Sequence, residues 1–196
     1  MERHALNPNS GDSNGAHSPH SRITHSAMSQ AESFEAARVL VRRLRGVDPT
    51  VSRPRVRIGV LLLPHKYLAN EEDVAVRIGA QAVSLAQRVL DARAEGSAYL
   101  GLDVDDLLRH LDDLATAKDD VAQMRASDCD LVTNLDLLLA HFDERARDEF
   151  WREARDRLSQ RSRALILTMP LSAHFLLPSI REWQSWEESK RVVTLF

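Results

Sequence analysis

Cysteine is almost missing from this chain: Cys129 stands alone among 196 residues. A lone thiol excludes an intrachain disulfide and a cysteine-based zinc cluster, and it fits a reducing, cytoplasmic setting. No apolar run approaches the roughly 20 residues that span a bilayer core. The first residues carry no apolar segment of the kind a secretory signal needs. The expectation is therefore a cytoplasmic protein with no membrane partner. A large excess of either charge is missing too. A net charge of -3 gives no general pull toward nucleic acid or acidic lipid, so any such affinity has to come from a local patch. Lysine is scarce, with Lys66, Lys118 and Lys190 the only ones. Arginine supplies the other cations, a bias of composition rather than a function.

Catalytic signatures are also lacking. There is no Gly-x-Ser-x-Gly elbow, and Cys129 falls in a stretch that reads as a buried strand, where a thiol is inert. His65, His141 and His174 are too scattered for metal-ligand spacing, and no His-x-x-x-His pair occurs. No metal is expected.

The absence that matters most is local. Val56, Ile58, Val60, Leu61, Leu62 and Leu63 read as a buried strand, and Asn70-Glu71-Glu72-Asp73 reads as a helix start. In a phosphate-binding α/β protein, the junction between such elements is a glycine-rich loop ending in Gly-Lys-Ser/Thr. Here it is Pro64-His65-Lys66-Tyr67-Leu68-Ala69, without a glycine. Lys66 stands about where a phosphate-binding lysine would, yet Tyr67 follows it in place of a magnesium-holding Ser or Thr.

What is present is an ordered alternation. Residues 1–28 are polar and rich in Ser, His and Asn, with too few apolar side chains to offset their ordering entropy, so they read as a disordered leader. Residues 29–54 read as a helix over Gln30 to Arg45 and a linker marked by Pro49 and Pro54. Ser29 with Glu32 forms a capping box, and Gly46 follows the last turn. The arginines Arg38, Arg42, Arg43 and Arg45, with Arg53, Arg55 and Arg57 behind them, form either a phosphate- or partner-docking patch or a solvated helix end.

Residues 55–196 read as the α/β domain. A helix from Asn70 carries Val74, Ile78, Ala82, Leu85 and Val89 on its buried face, and residues 97–102 make a second strand. Asp103 caps a third helix, Cys129 to Thr133 is a third strand, and Asp143 to Arg161 is a helix. Ala164 to Met169 is a fourth strand, followed by a short helical piece and a terminal strand from Arg191 to Leu195. Strands separated by helices imply parallel pairing through crossovers. The predicted fold is a three-layer α/β sandwich with a mostly parallel five-stranded sheet. Trp151, Trp183 and Trp186 fit core packing better than base stacking.

Ligands of such sheets bind at the carboxyl ends of the strands. The polar residues there are His65, Lys66, Asp103, Asn134, Asp136 and Thr168, with His174 beyond. Leu131-Val132-Thr133-Asn134-Leu135-Asp136 has the outline of a Walker B strand, but Asn134 is neutral where an acidic group would hold magnesium. Leu165-Ile166-Leu167-Thr168 has the outline of the next strand, whose polar tip senses a terminal phosphate.

The segments Leu131 to Leu139, Phe150-Trp151, Arg163 to Pro170, Leu176-Leu177-Pro178 with Trp183, and Arg191-Val192-Val193 together resemble the small P-loop-type proteins of BREX-type phage-defence operons. The resemblance implies a P-loop NTPase-like core working beside a larger defence protein. The missing Walker A sequence departs from it. The leading expectation is a non-catalytic accessory subunit without a cofactor, nucleotide being the one left open. Its candidate residues for contacting a nucleotide are Lys66, Asn134, Asp136 and Thr168. The alternatives are a weak NTPase or hydrolase using His65, Lys66, Asp103 and Asp136, or a nucleic-acid-binding module using Arg38 to Arg57.

Overall fold

The structure is a computed structural model, and it describes residues 29–46, 56–94, 102–116 and 128–196. The expected leader, the Pro49–Pro54 linker with Arg53 and Arg55, and the strand expected at 97–102, apart from Leu102, lie outside the described residues.

Five strands form the sheet: β1 (Ile58–Leu63), β2 (Gln81–Ser84), β3 (Cys129–Thr133), β4 (Ala164–Pro170) and β5 (Val192–Thr194). Their spatial order is β2-β3-β4-β1-β5, and every pairing is parallel. The helices among the described residues are α1 (Gln30–Arg45), α2 (Glu71–Ile78), α3 (Leu85–Ala94), α4 (Val104–Ala115), α5 (Leu135–Leu139), α6 (Glu144–Arg157) and α7 (Ile180–Glu188).

Alternation along the strands sorts the core into two halves. Leu61, Leu63, Cys129, Leu131, Ala164 and Ile166 face one side, against Phe34, Ala37, Leu40, Val41 and Leu44 of α1 and Val74, Ala75 and Ile78 of α2. Ile58, Val60, Val132, Leu165, Leu167 and Met169 face the other, against α3, α4, α5, α6 and α7. Three layers result, as expected from the sequence. The N-terminal helix is thus half of one outer layer of the domain. Its capping box is in place, with Ser29 accepting from Glu32 N and Glu32 accepting from Ser29 N. It lies close to the sheet at Gly59, where a Cβ would come within 3.1 Å of Arg191 O and of Leu44 Cδ1. Only glycine fits that approach without a shift.

One strand lies where the sequence pointed to a helix. Residues 81–84 form β2, and Leu102 is outside any strand. The helix expected to run from Asn70 through Val89 is two helices with a strand between them. Gly79, at φ 80°, ends α2 in the left-handed conformation, its amide donating to Ala75 O and Val76 O. Val74, Ile78, Ala82, Leu85 and Val89 recur nearly four apart and imitate one helical face. A four-residue edge strand, half-buried throughout, has too little apolar content to counter that rhythm.

The three tryptophans pack in the core. Trp151 and Trp186 are fully buried, edge-to-face at 5.7 Å, and Trp151 Nε1 donates to Leu176 O. The amino end of the sheet is sealed by a buried ion pair: Arg163 Nη2 lies 3.1 Å from Asp130 Oδ1, and its Nε 3.3 Å from Oδ2. Arg163 N and Ser162 Oγ both donate to Ala115 O, the last carbonyl of α4.

Candidate functional site

The connection from β1 leaves toward α2 on one face, and that from β4 leaves toward α7 on the other. Neighbouring strands whose connections diverge in this way open a crevice at their carboxyl ends, the usual ligand position in an open α/β sheet. Here β4 ends in proline and a proline directly follows β1. Leu63 is in register with Pro170, and Pro64 follows Leu63, so two positions facing the crevice have no N–H to offer. Three amides of the turn beyond are spent on the turn itself. Tyr67 N donates to Pro64 O, Leu68 N to His65 O and Asn70 N to Tyr67 O. Tyr67 is buried edge-to-face against Phe34 of α1 and accepts a hydrogen bond from Gln30 Nε2. The residues from Pro64 to Asn70 therefore form a closed 3-10 turn anchored to α1.

The residues expected at the strand tips separate. Lys66 is exposed, its ammonium 5.1 Å from the centre of the Tyr67 ring. Thr168 is buried, and its Oγ1 donates sideways to Val132 O at 2.9 Å. Asn134 holds the left-handed conformation at φ 59°, which asparagine tolerates better than most residues, and its Nδ2 donates to Ser84 Oγ at 3.0 Å. That bond ties the tip of β3 to the tip of β2. Asp136 stands in the first turn of α5. Asp103 accepts from Asp106 N as the cap of α4 and lines a different cleft, with Asp105, His141, Asp143 and Glu149. Of the four residues of the hydrolase alternative, Asp103 alone is among the described residues that line that cleft.

A cleft of about 460 Å³ does open nearby, between the start of α2 and the tips of β2 and β3. Its polar lining is Asn70, Glu71, Glu72, Asp73, Ser84, Thr133 and Asn134. Burial, and then the like charge of Asp136, push the Glu71 carboxyl up to about 7. Lys66 is not part of the lining, and neither is any other cation. Such a cleft repels polyphosphate instead of cradling it.

The α1 arginines are engaged within the fold. Arg38 and Arg42 pair with Glu35 at 3.2 and 2.8 Å, and Arg38 Nε donates to Arg77 O. Arg45 lies 3.4 Å from Asp128, Arg43 Nη2 reaches Ser189 O, and Arg57 Nη1 donates to Leu44 O. Burial pushes the Cys129 thiol up to about 12, with the Asp130 carboxylate adding to the effect, so it is no nucleophile near neutral pH. Among the described residues, no group of three or more His, Cys, Asp or Glu could hold a metal ion, and no helix is long and apolar enough to cross a membrane.

No family model matches this chain, and no curated protein matches it.

Function has to be read from the strand tips themselves. Two residues there escaped the sequence reading. Glu71 reads as an ordinary first-turn acid, and only its burial in the fold, with the like charge of the sequence-distant Asp136 adding to it, gives it a special environment. Thr133 reads as one more strand residue. Its place immediately before the polar Asn134 was the available signal.

Proposed function

We propose that this chain is a non-catalytic, P-loop-like adaptor that docks onto a larger protein of a prokaryotic antiviral defence complex. One observation carries the reading: the turn after β1 is closed by its own hydrogen bonds and begins with proline. A phosphate cradle needs successive free amides pointing at one centre. Strand order supports the skeleton. With β4 between β1 and β3, three tips stand in a row where the resembled proteins would place a phosphate turn, a sensing residue and a magnesium-holding acid. Here those places hold a closed turn, a threonine bonded sideways and a neutral asparagine.

Docking has its own support. Phe175 is 63% exposed and Leu171 39% exposed on the segment directly after β4, beside the same crevice. Exposed apolar side chains grouped at a strand-end surface fit a protein partner better than water.

The test is purification of the tagged chain with its neighbouring operon products, together with an ATPase assay in magnesium. The expected result is a stable complex with a larger protein, weakened by Phe175→Ser, and no nucleotide turnover. ATP hydrolysis that vanishes in Lys66→Ala would overturn the reading.

A further inference from the structure

We propose that this chain forms a two-fold symmetric dimer through the open edge of β2, which pairs antiparallel with β2 of a second copy. This surface is separate from the strand-end patch of the adaptor reading, and the dimer does not depend on that reading.

The two edges of the sheet are finished differently. β5 follows two cations directly, Lys190 and Arg191, and α1 packs against it. Just past it, Phe196 N donates to Ser33 Oγ of α1. Cations, proline and bulges are the usual devices that keep an edge strand from pairing with another chain. β2 has none of them. Its residues are Gln81-Ala82-Val83-Ser84, without charge or proline, and its register with β3 runs without a bulge. Among the described residues no strand pairs with its outer side, which leaves outward N–H and C=O groups open to a further strand.

A second copy is the occupant these residues suit. A two-fold axis perpendicular to the sheet runs β2 antiparallel to its copy and keeps each face continuous. Val83 then meets the copy on the α3 face and Ala82 on the α2 face. Self-pairing brings like residues close together, which an uncharged strand tolerates and a charged one does not. The same axis runs α2 antiparallel to its copy. The acidic end of each α2, Glu71-Glu72-Asp73, then lies toward the end of the other that carries Arg77. Opposite charges therefore meet at both ends of the contact.

The helices beside this edge offer apolar surface. α2 packs on β2, turns Val74, Ala75 and Ile78 into the core, and lays Arg77 over the Phe34 ring of α1 at 3.5 Å. At about 100° per residue, Val76 falls on the flank away from α1, and it is 76% exposed. On the other face α3 follows β2 directly, and its Leu90 is 53% exposed. A stable dimer buries roughly 1,200–2,000 Å² in total. A four-residue ladder supplies less than that, and the flanking helices extend the contact.

The experiment weighs the full chain by sedimentation equilibrium over a concentration series and follows β2 amide hydrogen exchange in the same samples. A dimer is expected, with the outward amides of β2 exchanging more slowly as dimer replaces monomer. Val76→Glu sets like charges against each other across the axis and should weaken the dimer at least about tenfold. The circular dichroism of the dilute monomer should stay unchanged, because the position is exposed. Val76→Leu should keep the dimer, and so should Phe175→Ser, which strikes the strand-end patch. The proposal is overturned if the chain stays monomeric up to about 100 μM, or if Val76→Glu dimerises equally well. A dimer whose β2 amides exchange as in the monomer, or one that Phe175→Ser abolishes, overturns it too. So does protection of β2 that appears only in complex with a neighbouring operon product, since the edge then takes another protein's strand. A dimer with ATPase activity that vanishes in Lys66→Ala would sink the adaptor reading and leave this one standing.

Discussion

Two carboxylates in this sheet sandwich meet opposite treatment. Asp130, near the amino end of β3, is wholly buried and gripped by Arg163 through two nitrogens. Glu71, at the carboxyl end of the sheet, is half-buried beside another acid with no cation against it. At the amino end the buried charge is matched inside the chain, and the neighbouring Arg163 N and Ser162 Oγ are spent on Ala115 O. The carboxyl end is left incomplete, as a surface waiting for something from outside would be. One fold thus places a matched and an unmatched carboxylate at opposite ends of the same sheet.

The sharpest way to break this contrast is to remove half of the foundation pair. Arg163→Met leaves an uncompensated buried carboxylate and should cost about 3–5 kcal/mol, read as a lower urea midpoint. The double variant Asp130→Leu with Arg163→Met should recover much of that loss, because the remaining charge is gone. Failure to recover would mean that the pair is not a closed unit. Next in size is Gly59→Val, which pushes α1 off β1 and should cost about 1–3 kcal/mol through overpacking. A thermal melt that does not move would show that α1 sits looser on the sheet.

At the carboxyl end the sign reverses. Glu71 has its folded-state value raised from 4.5 to about 7, so its contribution to stability is complete below the unfolded value and is lost as pH rises through about 7. Glu71→Gln should therefore stabilise the protein by about 1 kcal/mol at pH 8, once solvent screening of a partly exposed group is allowed for. It should also flatten the decline of stability between about pH 4.5 and 7. A variant that melts earlier than wild type at pH 8 would mean that Glu71 has an unseen favourable contact. Smallest is Lys66→Ala. Exposed and off the cleft, it should change stability by less than about 0.5 kcal/mol, read as an unmoved thermal melt.

Much of the scaffold could be read from the residues. The capping box at Ser29, the run Ile58–Leu63, and the segments 129–133 and 164–170 carry strong periodic or continuous apolar signals, and each became the element it suggested. The sheet's edge did not announce itself, because Gln81–Ser84 is half-buried and its neighbours keep helical spacing across it. The site was less legible for a different reason. Lys66 and Thr168 stood at plausible tips, but a turn's internal hydrogen bonding and a hydroxyl's sideways partner exist only in three dimensions. Asp130 was readable in principle. A carboxylate inside an apolar strand demands a cation, and Arg163 directly precedes the next strand.

The solitary thiol has a practical corollary. Cys129 sits midway through the layers, with no access to solvent and a strongly suppressed tendency to ionise. Any reagent that captures it must wait for the sandwich to part around β3. The speed of that capture is a clock for how often the centre of the protein breathes, native to the chain and free of any introduced label.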